Sequence, residues 1–122
     1  KRETLEAMRE NRLTPAQREV PFMGIPFWLG QGFGLGVSVI TDPEKQAWMG
    51  AGSEGSFGWP GAFGTWWQAD PVEDMVMIYL IQNSIPLEPE AASQLATGQR
   101  MGGRAALPVF QKLTYAALGK PL

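Results

Sequence analysis

The chain reads as an α+β domain, an antiparallel β-sheet flanked by helices, and three observations lead there. Seven successive apolar residues, Met75 to Ile81, have the composition of a strand covered on both faces. Ahead of them Gly64-Thr65-Trp66-Trp67-Gln68-Ala69 runs into Asp70-Pro71-Val72-Glu73-Asp74, a short acidic connection of the kind that joins two antiparallel strands. Leu107 to Leu118 then repeats apolar residues at helical spacing, with Pro108 near its start and Gly119 just past its end. With 122 residues, 44% hydrophobic and 18% charged, there is enough chain for one ordinary core, so a single domain or part of one is expected.

In order along the chain, Thr4 to Asn11 places Leu5 and Met8 three apart among Glu and Arg, which predicts a short amphipathic surface helix. A polar link, Thr14 to Glu19, follows. Gly32 to Ile40 predicts a strand whose β-branched end meets a turn at Thr41-Asp42-Pro43-Glu44-Lys45. The hairpin comes next, its second arm extending from Met75 to Gln82. Asn83 to Ala106, rich in Pro, Glu, Ser and Gly, predicts a surface excursion with a short helix near Glu90 to Ala96. In the last helix Phe110, Leu113, Ala117 and Leu118 form the stripe expected to cover the sheet.

Composition removes several function classes. Ten basic against twelve acidic side chains give a net charge of -2, without the electrostatic footprint of a nucleic-acid or anionic-membrane partner. No apolar run approaches the ~18 residues that cross a bilayer. With no Cys and no His, the chain has no disulfide, no thiol nucleophile, no zinc finger and no catalytic imidazole, and neither a metal nor a cofactor is expected. Composition leaves the compartment open.

Three local patterns invite chemistry and are better explained by turns or packing. Gly50-Ala51-Gly52-Ser53-Glu54-Gly55 spells G-x-G-x-x-G, but Phe57-Gly58-Trp59-Pro60-Gly61 follows where a phosphate site needs a helix N-terminus. Asp70, Glu73 and Asp74 bring carboxylates together, yet Asp-Pro starts turns because Asp accepts bonds from the next amides and Pro fixes φ. Trp28, Trp48, Trp59, Trp66 and Trp67 have the size and shape of core residues, and Trp66 and Trp67 must point to opposite faces of a strand.

The stretch Gly55-Ser56-Phe57-Gly58-Trp59-Pro60-Gly61-Ala62-Phe63-Gly64-Thr65-Trp66-Trp67-Gln68-Ala69-Asp70-Pro71, followed by an apolar strand and a C-terminal helix, resembles one family. It is similar to the C-terminal part of serine β-lactamase and penicillin-binding-protein type hydrolases, nearest to class C β-lactamases and the family VIII carboxylesterases. The resemblance implies that residues 1–122 are the C-terminal segment of one β-lactamase-like domain. The family's third motif, Lys-Thr-Gly or an esterase variant such as Trp-Gly-Gly, falls by position on Trp59-Pro60-Gly61. Ala62 would then donate its backbone N–H to the oxyanion hole. Trp59, Pro60, Gly61 and Phe63 would contact substrate, with one of Trp66 and Trp67 completing an apolar wall. Trp59 in place of Lys favours carboxylic esters over β-lactams.

The family's Ser-x-x-Lys does not occur: Ser38, Ser53, Ser56, Ser84 and Ser93 all lack a Lys three residues on. Neither Tyr79 nor Tyr115 begins a Tyr-x-Asn. The implied partner is therefore an N-terminal segment of the same hydrolase carrying the nucleophilic serine, and the implied substrate a small ester or amide. The alternatives are a catalytically silent binding or scaffold domain that keeps the fold, and a β-lactamase or D-amino-acid peptidase relative.

Overall fold

Thr14 starts the second helix through a reciprocal cap, its N–H donating to Gln17 Oε1 at 2.8 Å while the Gln17 N–H donates to Thr14 Oγ1 at 3.3 Å. This helix is one of four that flank a five-stranded sheet in the computed structural model, which describes residues 1–22, 24–83 and 106–119. The helices are α1 (Arg2–Met8), α2 (Pro15–Arg18), α3 (Pro43–Gln46) and α4 (Ala106–Ala117). The strands are β1 (Gln31–Phe33), β2 (Ser38–Ile40), β3 (Phe57–Pro60), β4 (Trp66–Asp70) and β5 (Met75–Tyr79), all antiparallel and in sequence order across the sheet. The predicted α+β class is the observed one.

The hairpin predicted at the acidic connection is present. Residues 66–70 pair with 75–79, from Trp66 opposite Tyr79 to Asp70 opposite Met75. Asp70 Oδ1 accepts from the N–H groups of Val72 at 2.9 Å and Glu73 at 3.2 Å, as a turn-forming aspartate should.

The predicted polar link Thr14 to Glu19 contains α2, and two predicted strands differ. Gly32 to Ile40 is a hairpin rather than one strand, because Gly36 at φ +86° reverses the chain between β1 and β2. There the Gly34 N–H donates to the Val37 carbonyl at 2.8 Å. Second, among the described residues β5 is covered on one face alone. Met77 is 3% exposed, whereas Val76, Ile78 and Leu80 are 64%, 60% and 76% exposed. The predicted excursion over Asn83 to Ala106 and its short helix lie, beyond Asn83 and the first residue of α4, outside the described residues.

Helix α4 sits within a residue of its predicted bounds and ends as expected, with Gly119 at φ +78°. Its covering face does not follow the apolar stripe. Leu113 and Leu118 are exposed, while Gln111 and Tyr115 are buried against β4. Among the described residues, no helix is long and apolar enough to cross a membrane.

Candidate functional site at the β3–β4 hairpin

Strand β3 carries Phe57-Gly58-Trp59-Pro60, with Trp59 opposite Trp67 and Pro60 opposite Trp66 on β4. Beyond Pro60 the chain turns at once. The Gly61 N–H donates to the Thr65 carbonyl at 2.7 Å, and the Gly64 N–H donates back to the Gly61 carbonyl at 3.0 Å. Gly64 takes φ +90°, the left-handed residue that closes a three-residue hairpin loop. At Gly61 a Cβ would strike the Thr65 side chain, so both glycines serve the turn itself. Ala62 and Phe63 are left at the exposed tip, the Phe63 carbonyl accepting from the Asn83 N–H at 2.8 Å.

Of the residues the sequence singles out, the structure thus lines up Trp59, Pro60, Gly61, Ala62 and Phe63 as a strand end and its turn. Their side chains go different ways. The Trp59 ring packs inward, with centroids 5.0 Å from Phe33, 5.8 Å from Phe27 and 6.3 Å from Phe22. Phe27 and Trp28 meet edge to face at 5.0 Å within the same cluster. Trp66 is buried, and Trp67 stands on the opposite face against Phe57 at 5.9 Å, as strand alternation requires.

A second constellation, between β4 and α4, is the one sequence reasoning missed. Asp70 Oδ2 accepts from the Tyr115 hydroxyl at 2.6 Å and from the Ser53 N–H at 3.0 Å. Gln68 Nε2 donates to the Ala51 carbonyl at 2.9 Å and to the Tyr115 oxygen at 3.2 Å, while Gln111 Nε2 donates to Gln68 Oε1 at 3.0 Å. All four side chains are buried.

Burial pushes the Asp70 carboxyl upward, but the Tyr115 hydroxyl and the amides of Ser53 and Glu73 outweigh it and hold the group below the ordinary carboxylate range. Burial and then the Asp70 charge push the Tyr115 phenol well above the usual tyrosine range. The network ties the 50–56 glycine loop, the β4–β5 turn and α4 to one carboxylate. That assigns the G-x-G-x-x-G stretch to structure, since β3 and not a helix follows it. Only the i, i+4 spacing of Gln111 and Tyr115, beside the Gln68 and Asp70 alternation, could have signalled the pairing. Among the described residues no group of three or more His, Cys, Asp or Glu is arranged to hold a metal ion.

No known family profile matches the chain. Two curated proteins of Mycobacterium tuberculosis, Protein Rv1367c and the uncharacterized protein MT1414, are each 48% identical over 119 residues, covering 96% of this chain and 30% of the relative. The chain thus spans about 30% of the length of these relatives. Unliganded selenomethionyl simvastatin synthase (LovD) from Aspergillus terreus superposes with a TM-score of 0.53 at 20% identity, over 91% of this chain and 29% of that one. A mutant of the same enzyme gives a TM-score of 0.55 at 18% identity, over 93% and 28%. At that identity the likeness concerns architecture alone. The five-stranded antiparallel sheet with its helices is the β-lactamase/transpeptidase-like α+β fold that simvastatin synthase also carries, in the C-terminal portion predicted from the sequence.

Proposed function

We propose that this chain forms the C-terminal segment of a serine hydrolase that works through an acyl-enzyme, its nucleophilic serine lying on an N-terminal segment of a longer polypeptide. The observation that carries the reading is the β3 end. Trp59-Pro60-Gly61 stops in a turn that places Ala62 at an exposed tip, where the resemblance puts the oxyanion donor. In such a site the serine attacks a carbonyl carbon, negative charge gathers on the carbonyl oxygen, and backbone N–H groups already aimed at that oxygen lower the barrier. The shared fold and the much longer curated relatives support the same assignment.

Carboxylic esters fit this site better than β-lactams. The first motif position holds an uncharged indole packed against Phe27 and Phe33, so no cation stands there to pair with a substrate carboxylate.

Kinetics of the longer protein with p-nitrophenyl butyrate and nitrocefin test the reading. Ester turnover should exceed nitrocefin turnover in kcat/KM. Ala62→Gly should keep most activity, whereas Ala62→Pro, which deletes the N–H, should lower kcat by roughly 10²–10³, equal to about 2.7–4 kcal/mol of transition-state stabilisation. A folded Ala62→Pro enzyme, with unchanged near-UV dichroism, that retained more than about a third of kcat would sink the oxyanion role. Absence of all turnover would favour the silent scaffold domain.

A further inference from the structure

The N–H of Ala62 shares a peptide unit with the Gly61 carbonyl, and in a planar trans peptide the N–H and the C=O point in opposite directions. Where that carbonyl goes decides where the N–H goes. The Gly61 carbonyl accepts from the Gly64 N–H at 3.0 Å, inside the turn, so the Ala62 N–H is directed away from Gly64. The next unit obeys the same constraint. The Gly64 N–H shares its peptide with the Phe63 carbonyl, which accepts from the Asn83 N–H at 2.8 Å. Bonded peptides thus stand in one row, from Asn83 to the Phe63–Gly64 unit, from there to the Gly61–Ala62 unit, and outward through the Ala62 N–H. Asn83 reaches the turn because Trp66 stands opposite Tyr79, so the chain leaving β5 runs on beside the β3–β4 loop.

We propose that Asn83 is a positioning residue for the oxyanion donor, its backbone N–H acting through the Phe63–Gly64 and Gly61–Ala62 peptides. By fixing the Phe63–Gly64 peptide it holds the Gly64 N–H on the Gly61 carbonyl, and with that the direction of the Ala62 N–H. Direction matters because a misplacement of about 1 Å can cost roughly 10² in rate. The row also strengthens its last donor. A carbonyl that accepts a hydrogen bond polarises the N–H of its own peptide, by about 10–30% per bond, and here two such bonds lead to Ala62. The stronger donor then faces an oxygen that becomes negative only as the serine attacks. The inference rests on the reading of Ala62 as the oxyanion donor of a hydrolase.

Steady-state kinetics of the longer protein with p-nitrophenyl butyrate test it. Asn83→Pro deletes the N–H and Asn83→Ala keeps it, so the two are compared with each other. The kcat of Asn83→Pro should lie roughly ten- to a hundredfold below that of Asn83→Ala, with KM within about twofold, because the donor is used in the transition state and not in binding. Proline also restricts the residue before it. A backbone ester at position 83, which replaces the N–H by oxygen and adds no bulk, should therefore lower kcat in the same direction. A double variant separates positioning from stability. In Ala62→Pro, where the row has lost its last donor, the ester at 83 should change kcat by less than about twofold, whereas a general loss of stability would lower it in both backgrounds. Equal kcat for the ester and the wild type, or equal losses in the two backgrounds, overturns the proposal and leaves the hydrolase reading in place. A longer protein with no ester turnover in any form overturns both.

Discussion

The rings around Trp59 and the polar layer beneath α4 hold the sheet by different means. Phe22, Phe27, Trp28, Phe33 and Trp59 meet at centroid distances of 5.0–6.3 Å in tilted and edge-to-face contacts that need only shape and area. Asp70, Gln68 and Gln111 are more deeply buried than any residue of the apolar core, yet these three and Tyr115 are each held by bonds with a required donor, acceptor and direction. An apolar cluster loses stability in proportion to the atoms removed. A polar layer responds instead to whether the group left behind still has a partner, so a one-atom change there can outweigh a larger one.

The largest effect is expected in the aromatic region. Phe27 is 5% exposed and touches the rings of Phe22, Trp28 and Trp59. Phe27→Ala should cost about 3–5 kcal/mol, read as a shift in the urea midpoint at unchanged slope. A loss below about 1 kcal/mol would mean that the cluster repacks and that the ring contacts do not define this core.

Tyr115→Phe should cost less, about 1.5–3 kcal/mol, the range for a hydrogen bond to a charged group. Its pH dependence identifies the mechanism. Asp70 has its pKa lowered by folding, so its contribution is present above the unfolded value near 3.8 and is lost as pH falls through the lower folded value. Tyr115 has its pKa raised, so the fold is destabilised as pH climbs past the unfolded value of 10.0. Without the hydroxyl the alkaline loss should disappear, and the acid loss should shrink, because Asp70 has lost a bond that favours its charged form and its folded pKa moves back toward the unfolded value. Melting temperature followed from pH 2 to 11 checks both limbs. Unchanged limbs in Tyr115→Phe would show that the pair does not set the pH response.

What was legible in the sequence follows the same division. The Asp70–Asp74 turn and both ends of α4 come from local chemistry, an Asp-Pro start and a Pro and Gly flanking a periodic run, and all appear in the structure. That Trp59 to Phe63 form a strand end and its turn was legible for the same reason, whereas the inward packing of Trp59 depends on Phe27 and Phe33, which arrive from another part of the chain. The covering face of α4 was misread because periodicity counts apolar residues. Gln111 and Tyr115 are buried by partners 43 and 45 residues away, which no local window contains. The Gly32–Ile40 hairpin was missed because each arm is only three residues long and the turn glycines, Gly34 and Gly36, continue an alternation that Gly32 begins.

The smallest effect sharpens the comparison most. Gln111 is 1% exposed and donates to Gln68 Oε1, but its own Oε1 has no hydrogen-bond partner among the described residues. Gln111→Met keeps the volume and removes both the bond and the unpaired carbonyl. Leaving Gln68 Oε1 without its donor costs about 1–3 kcal/mol, and relieving the stranded oxygen returns a similar amount, so the net change should stay within about 1 kcal/mol. Gln111→Ala should be worse despite losing the same polar atoms, because it also opens a cavity between α4 and β4. The ordering of the two variants by urea unfolding is therefore the measurement. If Gln111→Met were destabilised by more than about 2 kcal/mol, the Oε1 must have a partner, a buried water being the natural one, and the layer would be fully satisfied.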